Sequence, residues 1–124
     1  MTRLAVALMA GLGVVAGAWA GPTPAPIRAE IDGLVSELRS AQCRFQRNGS
    51  WHTLDEAQQV LTYKLKKIEE RTTLARTEDF IDQAATRSST TGQPYQVQCG
   101  QGAVEPAGPW LHAALKRVRA VSAR

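Results

Sequence analysis

Cysteine, histidine and aromatic residues are all scarce in this chain, and each scarcity removes a class of function. There are two cysteines and two histidines among 124 residues. Cys43 and Cys99 form no Cys-x-x-Cys pair, and neither His52 nor His112 stands at ligand spacing from a cysteine. A zinc ribbon or a dithiol redox motif needs such spacing, so both are excluded. Aromatic residues make up 6% of the chain, three Trp, two Tyr and two Phe, so most of them are expected to serve the core. Runs of one charge sign are also lacking. The formal charge is +4, of which Arg3 contributes one, and the cations are interspersed with carboxylates. A nucleic-acid binder would gather them on one stripe. No internal repeat is present, and only one long apolar run exists.

That run opens the chain. Arg3 precedes Leu4–Ala18, which is apolar or small throughout, and Ala18-Trp19-Ala20 is a small-x-small cleavage signal. The segment is short for a spanning helix of about 20 residues and rich in Gly and Ala. Residues 1–20 therefore read as a secretory signal peptide, with Gly21 as the mature N-terminus and no integral membrane segment after its removal. The residue after Ala20 is not cysteine, which argues against a lipid anchor. An exported chain meets an oxidising compartment, where two cysteines are most simply one disulfide, Cys43–Cys99. In the loop-entropy account such a bridge stabilises by about 4 kcal/mol.

Residues 21–26, Gly-Pro-Thr-Pro-Ala-Pro, read as an extended, mobile spacer. Residues 27–124 suffice for a single domain. Ile27, Ile31, Leu34, Val35 and Leu38 recur at helical spacing. Asn48-Gly49 predicts a type I′ hairpin turn, which places Phe45 opposite His52. Thr53-Leu54-Asp55-Glu56 is a capping box for a second helix with Leu54, Ala57, Leu61, Leu65 and Ile68 on one face. Thr77 is expected to cap a third helix with Glu78 and Asp79 in its first turn and Phe80, Ile81, Ala84 and Ala85 buried. Tyr95-Gln96-Val97-Gln98-Cys99 alternates as a half-buried strand. Gly100–Gly108 reads as a connection, and Pro109 as the first position of a last helix carrying Trp110, Leu111, Ala114, Leu115 and Val118. The predicted class is α+β. A small three-stranded antiparallel sheet is packed by four helices in the order α-β-β-α-α-β-α and stapled by one disulfide.

A series of motifs resembles the YfeK-like group of small uncharacterised secreted proteins of Gram-negative bacteria. It runs Ser40-x-x-Cys43-x-Phe45-x-Arg47-Asn48-Gly49, Glu56-Ala57, Thr77-Glu78-Asp79-Phe80-Ile81, Ser88-Ser89-x-x-Gly92-x-Pro94-Tyr95-x-Val97-x-Cys99, and Trp110-Leu111 with Leu115. Thr91 stands where a serine is expected before Gly92. The resemblance implies periplasmic location and architecture, and it supplies no catalytic or binding residues.

The stretch Ser88-Ser89-Thr90-Thr91-Gly92-Gln93-Pro94-Tyr95 is the most unusual, with four consecutive hydroxyl side chains before Gly, Pro and an aromatic. Ser88, Ser89, Thr91, Gly92 and Tyr95 are the candidate binding residues, since loops on a rigid scaffold are where binding concentrates. An ordinary helix-to-strand connection would show the same turn chemistry. Thr91-Gly92-Gln93-Pro94-Tyr95 is also similar to the Ser-Gly-x-x-Tyr loop of some bacterial periplasmic lysozyme inhibitors. A loop serine with His52 and Asp55 would be needed for a hydrolase, although no nucleophile elbow accompanies them. Phe45 and Trp51 with Arg44 and Arg47 form either an exposed patch or part of the core. Lys64, Lys66, Lys67, Arg71, Lys116, Arg117 and Arg119 read as solvated helix faces, or as contacts to anionic lipid or cell-wall polymer. The sequence thus points to an exported, periplasmic binding or accessory domain rather than a catalyst, without metal or other cofactor. Its expected partner is a periplasmic protein or a cell-wall component, and its oligomeric state stays open.

Overall fold

A computed structural model describes residues 20–123. The predicted signal peptide lies outside the described residues except for Ala20. Helix α1 spans Ala25–Ser40, β1 Cys43–Arg47, β2 Ser50–His52, α2 Leu54–Glu69, α3 Thr77–Ala84, β3 Gln96–Cys99, β4 Val104–Pro106 and α4 Ala107–Ser122. The strands form one antiparallel sheet in the order β2-β1-β3-β4. The α+β class stands, but the sheet has four strands, not three.

Local chemistry explains most of these elements. Asn48 (φ 51°) and Gly49 (φ 82°) take the two left-handed positions of the hairpin turn, which sets Phe45 opposite His52. The Thr53 amide donates to Glu56 Oε1 at 2.9 Å, while the Glu56 amide donates to Thr53 Oγ1 at 3.2 Å. Two donors at the start of α2 that have no helical partner are thereby satisfied. Helix α1 buries Ile31, Leu34 and Leu38, and α2 buries Ala57, Leu61, Leu65 and Ile68. Where α1 crosses α4, Gly33 faces Val118. A Cβ at Gly33 would lie 2.8 Å from a Val118 methyl, so the approach depends on the missing side chain.

Helices cover one face of the sheet. Phe45, Tyr95 and Val97 point into them, and the Phe45 and Tyr95 rings meet edge-on at 5.1 Å between centroids. The other face is polar. Arg44 donates to Gln98 Oε1 and lies 4.2 Å from the centre of the Trp51 ring. Cys43 and Cys99 are direct cross-strand neighbours of β1 and β3 and are joined as a disulfide.

Four expectations need correction. Gly100–Gly108 is not merely a connection, because Val104–Pro106 forms β4 beside β3. All three residues of β4 are exposed, so no alternation of apolar residues marked this edge strand, and its last position tolerates a proline. Helix α4 consequently begins at Ala107, two residues before Pro109. Thr77 does not cap α3. It is the first helical residue, fully buried, and its hydroxyl donates to Glu30 Oε1 at 2.6 Å, while Arg76 holds the cap position. The proline-rich spacer is shorter than residues 21–26, since α1 starts at Ala25, and it is fastened. Thr23 is buried, and both its amide and its hydroxyl donate to Glu69 Oε2.

Candidate functional site

Residues 88–93 form a loop organised around Ser88. The Ser88 amide donates to Gln93 O, and the Gly92 amide donates back to Ser88 O, each at 2.9 Å. Ser88 Oγ accepts from the amides of Thr90 and Thr91 at 3.2 and 3.3 Å and lies 3.0 Å from Thr90 Oγ1. Thr91 Oγ1 accepts from the Gln93 amide at 3.2 Å. Gly92 (φ 75°) turns the chain where a side chain would be strained. The hydroxyl run therefore satisfies much of the loop's own backbone, as serine and threonine do in local turns.

Two long-range contacts seat the loop. The Thr91 hydroxyl donates to Asn48 Oδ1 at 2.6 Å, which joins the loop to the β1–β2 hairpin tip. At its base, Lys64 of α2 donates to Arg87 O at 2.9 Å and to the Tyr95 hydroxyl at 3.2 Å. The Lys64 ammonium also lies 4.9 Å from the centre of the Tyr95 ring. The Tyr95 amide donates to Thr86 O, and its carbonyl accepts from Ala107 at the start of α4.

The five candidate residues separate into two groups. Ser89, Thr91 and Gly92 are exposed. Ser88 and Tyr95 are 2% and 1% exposed, so these two shape the loop and do not present it to a partner. The burial has a simple origin: Ser88 Oγ is the acceptor for two loop amides, and Tyr95 completes the face that holds Phe45. A tyrosine buried in this way does not project as the comparison with lysozyme-inhibitor loops requires. The His52–Asp55 pairing of a hydrolase is not formed either. His52 Nδ1 faces Glu56 Oε1 at 3.8 Å, while Asp55 accepts from Arg39 at 3.2 Å. His112 Nε2 pairs with Asp82 at 2.8 Å.

Lys64 is the neighbour of the loop that sequence reading did not single out. It was one cation of a helix face, although its place between Leu61 and Leu65 puts it at the edge of the buried stripe. Trp51 and Phe45 divide between the two readings: Phe45 is core, and half-buried Trp51 underlies Arg44. Among the described residues, no group of three or more His, Cys, Asp and Glu is placed to hold a metal ion. No helix among them is long and apolar enough to cross a membrane.

Charge is concentrated elsewhere. Arg119 of α4 bonds both Glu30 of α1 and Glu78 of α3 at 2.8–3.1 Å. Hydrogen bonds from Arg119 pull Glu78 down to a pKa of about 2, and Glu30 is lowered by Arg119 and then by Thr77. This network clamps three helices and leaves the loop untouched.

The fold and site together define a small disulfide-bonded α+β domain with a polar loop braced between a hairpin and a helix. The chain belongs to DUF5329, a family of unknown function, whose profile matches residues 25–119. No curated protein and no solved structure matches the chain.

Proposed function

We propose that this is an exported, periplasmic binding or accessory domain whose contact surface is the exposed part of the Ser88–Tyr95 loop with the Asn48-Gly49 hairpin tip. The observation that supports the reading most is the Thr91–Asn48 bond, which joins two sequence-distant tips into one surface. A rigid base held by Lys64, Tyr95 and the Cys43–Cys99 bridge presents Ser89, Thr91 and Gly92 with little conformational freedom left to lose. Binding to a preorganised surface loses less entropy than binding to a mobile one. The N-terminal pattern supports export through cleavage after Ala20, and the ordered motifs support kinship with the YfeK-like proteins of Gram-negative bacteria. The partner class is a periplasmic protein or a cell-wall component, and the role is non-catalytic.

Two measurements test the reading. The mass and N-terminal sequence of the protein recovered from a Gram-negative periplasm should begin at Gly21. A photo-crosslinking residue placed at Ser89 should capture a discrete partner in that periplasm, while the same residue at exposed Ser36 on α1 should not. Equal labelling from both positions would overturn the assignment of the surface, and none from Ser89 would overturn its protein-partner form.

A further inference from the structure

Beside the loop, α2 and α3 flank an open groove of about 420 Å³. Its size falls within the range of small-ligand sites. Its chemistry is mixed in an ordered way. Buried Ile68 contributes an apolar floor. Tyr63 is 61% exposed and offers an aromatic face to the groove, with the Lys67 ammonium 5.4 Å from its ring centre. Lys64 and Lys67 of α2, with Arg71 in the turn just past its end, supply cations on one wall, and Gln83 with Ser89 supplies neutral hydrogen-bonding groups on the other. Glu70 is the one carboxylate, and its Oε2 lies 3.5 Å from Lys67 Nζ. Three cations against one anion leave the groove positive. Arg71 is exposed and makes no ion pair among the described residues.

We propose that this groove binds an anionic saccharide, a pyranose bearing a carboxylate. The apolar C–H face of the ring lies on Tyr63, the carboxylate meets Arg71 and Lys67, and ring hydroxyls bond Gln83 and Ser89. The pairing of planar guanidinium with carboxylate is the strong, directional kind. An aromatic platform suits a sugar ring, which has apolar C–H faces and a polar edge. Lys64 joins the groove to the loop, because it faces the groove while bonding Arg87 O and the Tyr95 hydroxyl. The inference rests on the binding reading above and extends it to a groove that shares Ser89 with that surface, with a ligand class within the cell-wall alternative.

The test is an amide NMR titration of the oxidised domain, residues 21–124, with a trimer of galacturonic acid, a trimer of galactose and sodium sulfate. Saturable shifts should appear with the uronate trimer at the amides of Tyr63, Arg71, Gln83 and Ser89. The neutral trimer and sulfate should each bind about tenfold more weakly or worse, because each lacks one half of the recognition. Tyr63→Ala and Arg71→Ala should each weaken uronate binding about tenfold with the rest of the spectrum unchanged, since both side chains are exposed. Sulfate matching the uronate would reduce the groove to a plain anion site and overturn the saccharide claim. So would an absence of shifts at about 10 mM ligand, where even weak complexes are populated. Partner capture from position 89 without saccharide binding would sink this inference alone. Saccharide binding without capture would sink the protein-partner form of the functional reading alone.

Discussion

The Thr91 hydroxyl donates to Asn48 Oδ1 across 2.6 Å, and Thr91 Oγ1 itself accepts from the Gln93 amide. One side chain thus closes its own loop and fastens it to a hairpin 43 residues away in sequence. Thr91→Val keeps the shape and removes both bonds. We expect a loss of about 1–3 kcal/mol in urea unfolding, the net value of two neutral hydrogen bonds. Amide exchange at Gln93 and Gly49 should accelerate together. In a double-mutant cycle, Asn48→Gly preserves the left-handed turn and removes the acceptor, so the two substitutions should be non-additive. Additive effects would show that loop and hairpin are energetically independent.

Tyr95 is the residue on which the loop rests, so truncation and hydroxyl removal should differ sharply. Tyr95→Ala empties a site 1% exposed beside Phe45 and should cost about 3–5 kcal/mol. Tyr95→Phe retains the packing and loses only the bond from Lys64, a change of about 1 kcal/mol. Thermal unfolding of the two variants decides the matter. Similar midpoints for both would mean that the ring does not carry the packing described.

What the sequence revealed and what it hid follow the range of the interactions. The capping box of α2, the Asn48-Gly49 turn and the buried faces of α1 and α2 depend on residues within about four positions, or on helical period, and were readable directly. Thr77 was misread because its hydroxyl goes to Glu30, 47 residues away, in place of its own helix end. Strand β4 was hidden because an exposed three-residue edge strand is defined by backbone pairing with β3, which side chains do not advertise. At the candidate site, the position of the loop and its exposed Ser89, Thr91 and Gly92 were legible from composition. The inward turn of Ser88 was not, since a serine reads as polar whether it bonds water or its own loop. The seat supplied by Lys64 lies 31 residues from Tyr95 and follows only from the packing of α2 on the sheet.

The segment before α1 offers a test of how far the domain extends. Glu69 Oε2 accepts from the Thr23 amide, the Thr23 hydroxyl and Arg28, and Glu69 O accepts from the Gly21 amide at 3.0 Å. Glu69 accordingly has a lowered pKa, chiefly through the Thr23 hydroxyl. Glu69→Ala leaves buried Thr23 without its acceptor and should cost about 1–3 kcal/mol. Amide exchange at Thr23 should rise to the rate of an open segment while α2 stays protected. Unchanged exchange at Thr23 would mean that the segment is held by something other than Glu69.

Acid should act on the clamp formed by Arg119. The Glu78 carboxylate is held at a pKa of about 2 by hydrogen bonds from Arg119, against an ordinary value of 4.5 once the chain unfolds. A group with a depressed folded pKa contributes stability that is fully present above the unfolded value. That contribution fades as pH falls from about 4.5 and is gone below about 2, where both states are protonated. Glu78→Gln should therefore lower the urea midpoint at pH 6, flatten its decline between pH 4.5 and pH 2, and converge with the parent at the acid end. Some decline should remain in the variant, because Glu30 is also lowered by Arg119 and Thr77, and Glu69 by Thr23. The difference at pH 6 should shrink in about 0.5 M salt, since both partners are partly exposed and open to screening. Parallel midpoint curves for parent and Glu78→Gln across this range would show that the α1–α3–α4 clamp does not carry the acid response.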